Sequence, residues 1–111
     1  MSEKKFAIPG EAIRQLIPHI GGCLATDRIT VDGCKVGYMY RDAPDHSNDS
    51  GWRFFAGDES DEYANDPNNI EVYTVNTIAN YDQDIIPYLQ TDAPCAFEKI
   101  PGKSGYRRVD D

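Results

Sequence analysis

Apolar positions fall into short blocks whose spacing changes along the chain. Ile8, Ala12, Ile13, Leu16, Ile17 and Ile20 recur at three- and four-residue intervals, with Pro9-Gly10 ahead and Pro18 and Gly21-Gly22 behind. That spacing predicts an amphipathic helix of roughly two turns, opened by a proline suited to a first turn and packed as a lid on a sheet. From Cys23 the pattern turns strand-like. Ile29 and Val31 come first, then the turn signal Asp32-Gly33, then an alternating stretch with Val36, Tyr38 and Tyr40 on one face and Met39 on the other. Gly37 inside that strand predicts a bulge or the close approach of another backbone. Asp42 to Ser50 is polar, contains Pro44 and reads as a loop.

Between Gly51 and Gly57 the alternation returns, with Trp52, Phe54 and Ala56 pointing one way and Arg53 and Phe55 the other. Aromatic residues on both faces predict a central strand covered on both sides. Gly57-Asp58 stops it. Asp58 is the expected N-cap of a helix with Asp61 in its third position, running to about Asn65 and ending before Pro67. Ile70 to Thr77 reads as a strand and Ile78 to Asn80 as a tight connection. Asp82 or Asp84 then caps a short helix carrying Ile85, Ile86, Tyr88 and Leu89, with Pro87 in its first turn. Ala96 to Ile100 and Tyr106 to Val109 form a hairpin through residues 101–105, and Asp110 and Asp111 are expected to fray. The sum is one α+β domain over residues 1–111. It has a small, mostly antiparallel sheet of about five or six strands, with short helices at the N-terminus and in two connections. At 111 residues such a domain buries about two-thirds of its surface without needing disulfides.

Charge adds a location to this outline. Eleven basic residues stand against nineteen acidic ones, a formal net charge of −8. That balance argues against nucleic acid as a partner, since phosphate affinity comes from clustered Lys and Arg, and makes a basic protein the natural complement. The excess is concentrated: residues 42–66 hold one basic and eight acidic side chains, a net −7. Asp58, Glu59, Asp61, Glu62 and Asp66 lie directly after the aromatic strand, with Tyr63 among them. Three readings of this run stay open: a solvated helix face with its carboxylates on the helix dipole, a docking patch for a basic protein, or a metal site. The EF-hand form of the last fails. Starting from Asp45, position 6 is Ser50 and position 12 is Ala56, where the loop needs glycine and glutamate.

Catalytic chemistry finds little support. Cys23, Cys34 and Cys95 fit neither a disulfide framework nor a zinc pattern, and read as free, small apolar residues. His19 stands at the end of the first apolar block without a motif partner, and His46 lies in the polar loop with no nucleophile beside it. Gly102-Lys103-Ser104 has Phe97 where a phosphate loop needs its first glycine. Crowded exposed carboxylates tune one another's pKa poorly, which disfavours an enzyme built on them. No apolar run is long enough for a signal peptide or a membrane span, so the expected compartment is the cytoplasm. No cofactor or metal is expected. Tyr38, Tyr40, Trp52, Phe54, Tyr63, Tyr73 and Tyr81 read mainly as core, with some hydroxyls reaching the surface as potential binding anchors.

Three stretches resemble a known family: Tyr38-Met39-Tyr40-Arg41, Asp49-Ser50-Gly51-Trp52-Arg53-Phe54-Phe55-Ala56-Gly57-Asp58-Glu59, and Val75 to Asp82 running into Asp84 to Leu89. Together they look like the bacterial immunity protein 33 family, first catalogued as domain of unknown function 2185. The likeness is strongest over residues 22–89, and its most specific part begins at Gly51. It implies a non-catalytic cytoplasmic protein that binds and neutralises a toxin of a polymorphic or contact-dependent system. The partner-binding residues then expected are Asp58, Glu59, Asp61, Glu62, Tyr63 and Asp66, with Gly57 serving the strand-to-helix turn and Glu59 and Glu62 the strongest contact candidates. The alternatives are a small acidic regulatory or structural module and, behind it, a carboxylate-based metal binder or enzyme.

Overall fold

In a computed structural model, which describes residues 5–109, the alternating blocks resolve into six strands: β1 (Gly22–Thr26), β2 (Tyr38–Arg41), β3 (Asp49–Phe55), β4 (Ile70–Thr74), β5 (Cys95–Lys99) and β6 (Tyr106–Arg108). They form one sheet in the order β4-β1-β3-β2-β5-β6. β1 and β3 run parallel, and every other neighbouring pair is antiparallel. Trp52 and Phe54 carry the inner face, as their alternation predicts. Phe54 sits between Ala25 of β1 and Met39 of β2, and Phe97 of β5 extends the row beyond Met39. Trp52, Phe54 and Met39 are fully buried together with Ile29, Val36, Ile78 and Ile85. Each such side chain contributes about 1.5–3 kcal/mol by leaving water. The Trp52 indole stacks on Phe54 at 5.9 Å and donates its Nε1 proton to the Leu89 carbonyl at 3.2 Å, so the one polar atom of this ring is satisfied inside the core.

Two segments rich in β-branched residues turn out helical. Ile29 lies in α1 (Asp27–Thr30), not in a strand, and Asp32-Gly33 closes that helical turn, with Gly33 at φ 77°. Val75 to Asn80, expected as the end of a strand and a tight connection, lie in α3 (Val75–Tyr81). There the Thr74 hydroxyl accepts the Thr77 N–H at 3.2 Å, and this cap overrides the weak strand preference of Val75 and Ile78. Pro87 sits late in a 3-10 helix over Gln83–Tyr88 rather than in its first turn, and Asp82 caps that helix by accepting the Asp84 N–H. The C-terminal hairpin forms as expected from β5 and β6. Asp110 and Asp111 lie outside the described residues.

At the N-terminus the helix reduces to one 3-10 turn, Gly10–Ala12. Beyond it the chain is extended, and α3 supplies its hydrogen bonds. Asn76 Oδ1 accepts from the Leu16 and Ile17 N–H groups at 2.7 and 3.2 Å, and Asn80 Oδ1 accepts from Arg14 N–H at 3.0 Å. Both amides also donate to the Arg14 carbonyl. Two asparagines four residues apart on one helix face thus replace the internal ladder that a run containing four isoleucines and Pro18 supports poorly.

Gly37 meets the expectation of close approach. Its N–H donates to Phe55 and its carbonyl accepts from Lys99, both at 2.9 Å, and a Cβ there would lie 2.0 Å from the Ala56 carbonyl oxygen. Val36, just before it, does not share a face with Tyr38 and Tyr40. It is fully buried, its N–H drawn to the carboxylate of Asp82 at 3.0 Å. Buried Asp82 also takes the Lys99 ammonium at 3.2 Å and lies 3.1 Å from the Tyr106 hydroxyl, so one carboxylate joins the chain before β2 to both strands of the hairpin.

Candidate functional site

The acidic run starts where β3 ends. Gly57 turns the chain at φ 99°, and Glu59 folds back over the turn. Its carboxylate accepts the Thr26 hydroxyl at 2.5 Å and the Ala56 and Gly57 N–H groups at 2.8 and 2.9 Å. With Glu59 closing the turn, the helix starts later than expected. Ser60, not Asp58, is the N-cap of α2 (Asp61–Ala64), its hydroxyl accepting the Tyr63 N–H at 3.1 Å. Asp58 instead makes a two-point contact with Arg28 at 2.5 and 3.1 Å. That hydrogen-bonded guanidinium holds the Asp58 carboxyl below its ordinary pKa. Asp66 caps the next turn by accepting the Asn68 N–H at 2.9 Å. Tyr63 is half-buried, and burial, reinforced by nearby carboxylates, raises its hydroxyl pKa. Asp61 and Glu62 are exposed in the first turn of α2, and neither has an ion pair or side-chain hydrogen bond among the described residues. The six expected contact residues therefore divide: Asp58, Glu59 and Asp66 are engaged inside the chain, Asp61 and Glu62 point to solvent, and Tyr63 lies between.

A second surface adjoins them. The outer face of the sheet carries Leu24, Tyr38, Tyr40, Arg53, Phe55 and Val72, placed together by the pairings Leu24 with Arg53, Leu24 with Val72, and Tyr38 with Phe55. Tyr40 stacks on Phe55 at 6.0 Å. The expectation of a strand covered on both faces is met on the Trp52 face alone. On the other, Arg53 and Phe55 are half-buried, and the face is hollowed into three depressions of about 540, 230 and 250 Å³. The first two share Leu24 and Arg53; the second and third share Tyr40, Phe55 and Ala64 of α2. Sharing these walls, they lie in a row as a trough from Asp45 and His46 at one end to Glu59 at the other. The alternation of Tyr38, Tyr40, Arg53 and Phe55 was the available sign of this face, but Leu24 and Val72 join it only through strand pairing.

Arg53 lies midway along the trough. Its guanidinium meets the Asp49 carboxylate at two points, both 3.0 Å, and reaches Asp45 at 3.8 Å. The hydrogen-bonded Arg53 holds Asp49 well below the ordinary carboxylate range, against the opposing effect of burial. Cys23 and Cys95 are buried, Cys34 is half-buried, and none is in a disulfide. Burial pushes the Cys23 thiol up, so it is a poor nucleophile. His19 and His46 are exposed and both line the largest depression. Among the described residues no three His, Cys, Asp or Glu side chains are grouped to hold a metal ion. No helix among them is long and apolar enough to cross a membrane. The arrangement offers contact surface in which apolar side chains flank Arg53, with Asp45 and Asp49 at one end and Glu59 at the other.

Comparison with known proteins gives one family. The model of the immunity protein Imm33 domain matches residues 23–110, from β1 past β6. No curated protein and no solved structure matches the chain.

Proposed function

The chain belongs to the Imm33 immunity protein family, a membership that implies neutralisation of a toxin, and we propose that it does so by covering a basic surface of a cognate toxin domain with its acidic α2 end. It acts as a non-catalytic binder in the cytoplasm and needs no cofactor. The observation that supports this most directly is the division within the acidic run. Asp58, Glu59 and Asp66 build the turn and the caps, and Asp61 and Glu62 stay exposed on α2, whose Ala64 lines the aromatic outer face. Charges displayed at a rim speed encounter and select partners more than they add affinity.

The test uses the C-terminal domain encoded by the gene neighbouring this one. Binding weakens as salt rises, mainly through the association rate. Replacing Asp61 and Glu62 together by lysine lowers that rate by about tenfold. An unchanged rate would remove the acidic end from the interface, and no binding at all by the unaltered chain would refute the toxin-binding role.

A further inference from the structure

We propose that the largest depression of the trough is a socket for one lysine or arginine side chain of a protein partner. The inference rests on the reading of this chain as a binder of a basic protein and gives that protein a second point of attachment, at the opposite end of the trough from α2. The recess, about 540 Å³ in volume, is walled on its apolar side by Leu24 and Val72 and on its polar side by Asp45, Asp49 and Arg53.

Three observations specify the occupant. Val72 is 74% exposed, the most exposed large hydrophobic side chain among the described residues, and it stands directly across from half-buried Leu24. This apolar pair suits a methylene stem. Arg53 is committed to Asp49 by two 3.0 Å contacts and reaches Asp45 only at 3.8 Å. Two carboxylates thus face one guanidinium, leaving one negative charge uncompensated. The Asp45 side chain is 83% exposed while that of Asp49 is 7% exposed, so the surplus charge sits at the mouth. A side chain with an apolar stem and a cationic tip matches both walls at once. Carboxylate or phosphate ligands would be repelled there, and a second copy of a chain carrying net −8 would bring like charge to like.

The test needs no toxin. The isotope-labelled full chain is titrated with the blocked tripeptide acetyl-Leu-Arg-Leu-amide and followed by amide chemical shifts, with tripeptides carrying norleucine or glutamate at the centre as controls. The arginine peptide gives saturable shifts at Leu24, Asp45, Asp49 and Val72, and the controls do not. Asp45→Lys, at an exposed position, keeps the native spectrum and weakens the arginine peptide by about tenfold. Equal shifts from the norleucine peptide, shifts confined to other residues, or an unchanged titration in the Asp45→Lys chain would each overturn the socket. Concentration-dependent broadening at these amides without peptide would assign the recess to a second copy and overturn it too. Because the toxin assay reads the α2 end and the peptide assay the far end, failure of the socket is distinguished from failure of the toxin-binding reading.

Discussion

The Thr26 hydroxyl, at the end of β1, donates to the Glu59 carboxylate at 2.5 Å across thirty-three residues of sequence. Thr26 is fully buried, and the same carboxylate holds the Ala56 and Gly57 N–H groups. Glu59 is therefore the clasp of the β3-to-α2 turn. Its truncation strands a buried hydroxyl and a half-buried N–H, each costing about 1–3 kcal/mol. Glu59→Ala is expected to lower unfolding free energy by about 3 kcal/mol in urea denaturation, whereas Glu62→Ala stays within about 0.5 kcal/mol. Equal effects would refute the clasp. A charge reversal at Glu59 would confound folding with binding, which makes Asp61 and Glu62 the residues to reverse.

The Asp49–Arg53 pair sets an acid limit on stability. The folded-state pKa of Asp49 is depressed below its ordinary value of 3.8, so at lower pH the unfolded chain binds the proton first. The pair's contribution is present above the unfolded value and is lost as pH falls through it toward the depressed one. The melting temperature should fall on acidification below about pH 4. Asp49→Asn should lower it at neutral pH and flatten that decline. A parallel decline in both chains would place the acid sensitivity elsewhere.

Gly37→Ala probes the backbone crossing directly. The added Cβ would stand 2.0 Å from the Ala56 carbonyl oxygen, and that contact involves backbone on both sides, so one strand must move. The expected cost is about 3 kcal/mol, read as a drop in the denaturation midpoint with unchanged slope. Gly102→Ala is the comparison for steric room, since nothing lies within 4 Å of a Cβ there. Its positive φ of 75° adds a smaller backbone strain of about 1 kcal/mol.

Strand β3 was legible because its alternation is strict and its aromatic residues leave no competing helical period. The close approach at Gly37 was legible for a related reason: a glycine inside an apolar run lacks a side chain to pack. Ile29 and Val75 to Asn80 misled because β-branched residues favour strands only weakly, while the Thr74 cap is a local hydrogen bond that wins once formed. The charge of the acidic run could be read directly, but its internal use could not, since Arg28 and Thr26 reach Asp58 and Glu59 across more than twenty-nine positions. The trough was hidden for the same reason: Leu24, Arg53 and Val72 become neighbours only through β1 pairing.

That pairing also bears on how the protein comes into being. β1 precedes the other five strands in the chain, yet its partners are β3 and β4, and β2 is not one of them. Its parallel neighbour must be synthesised before the first rung can form, and its second edge waits for Ile70–Thr74. Such long-range closure slows folding relative to hairpin-by-hairpin assembly. Leu24 thus stays unpaired until β3 has been made, and one edge of its strand stays open until β4 follows.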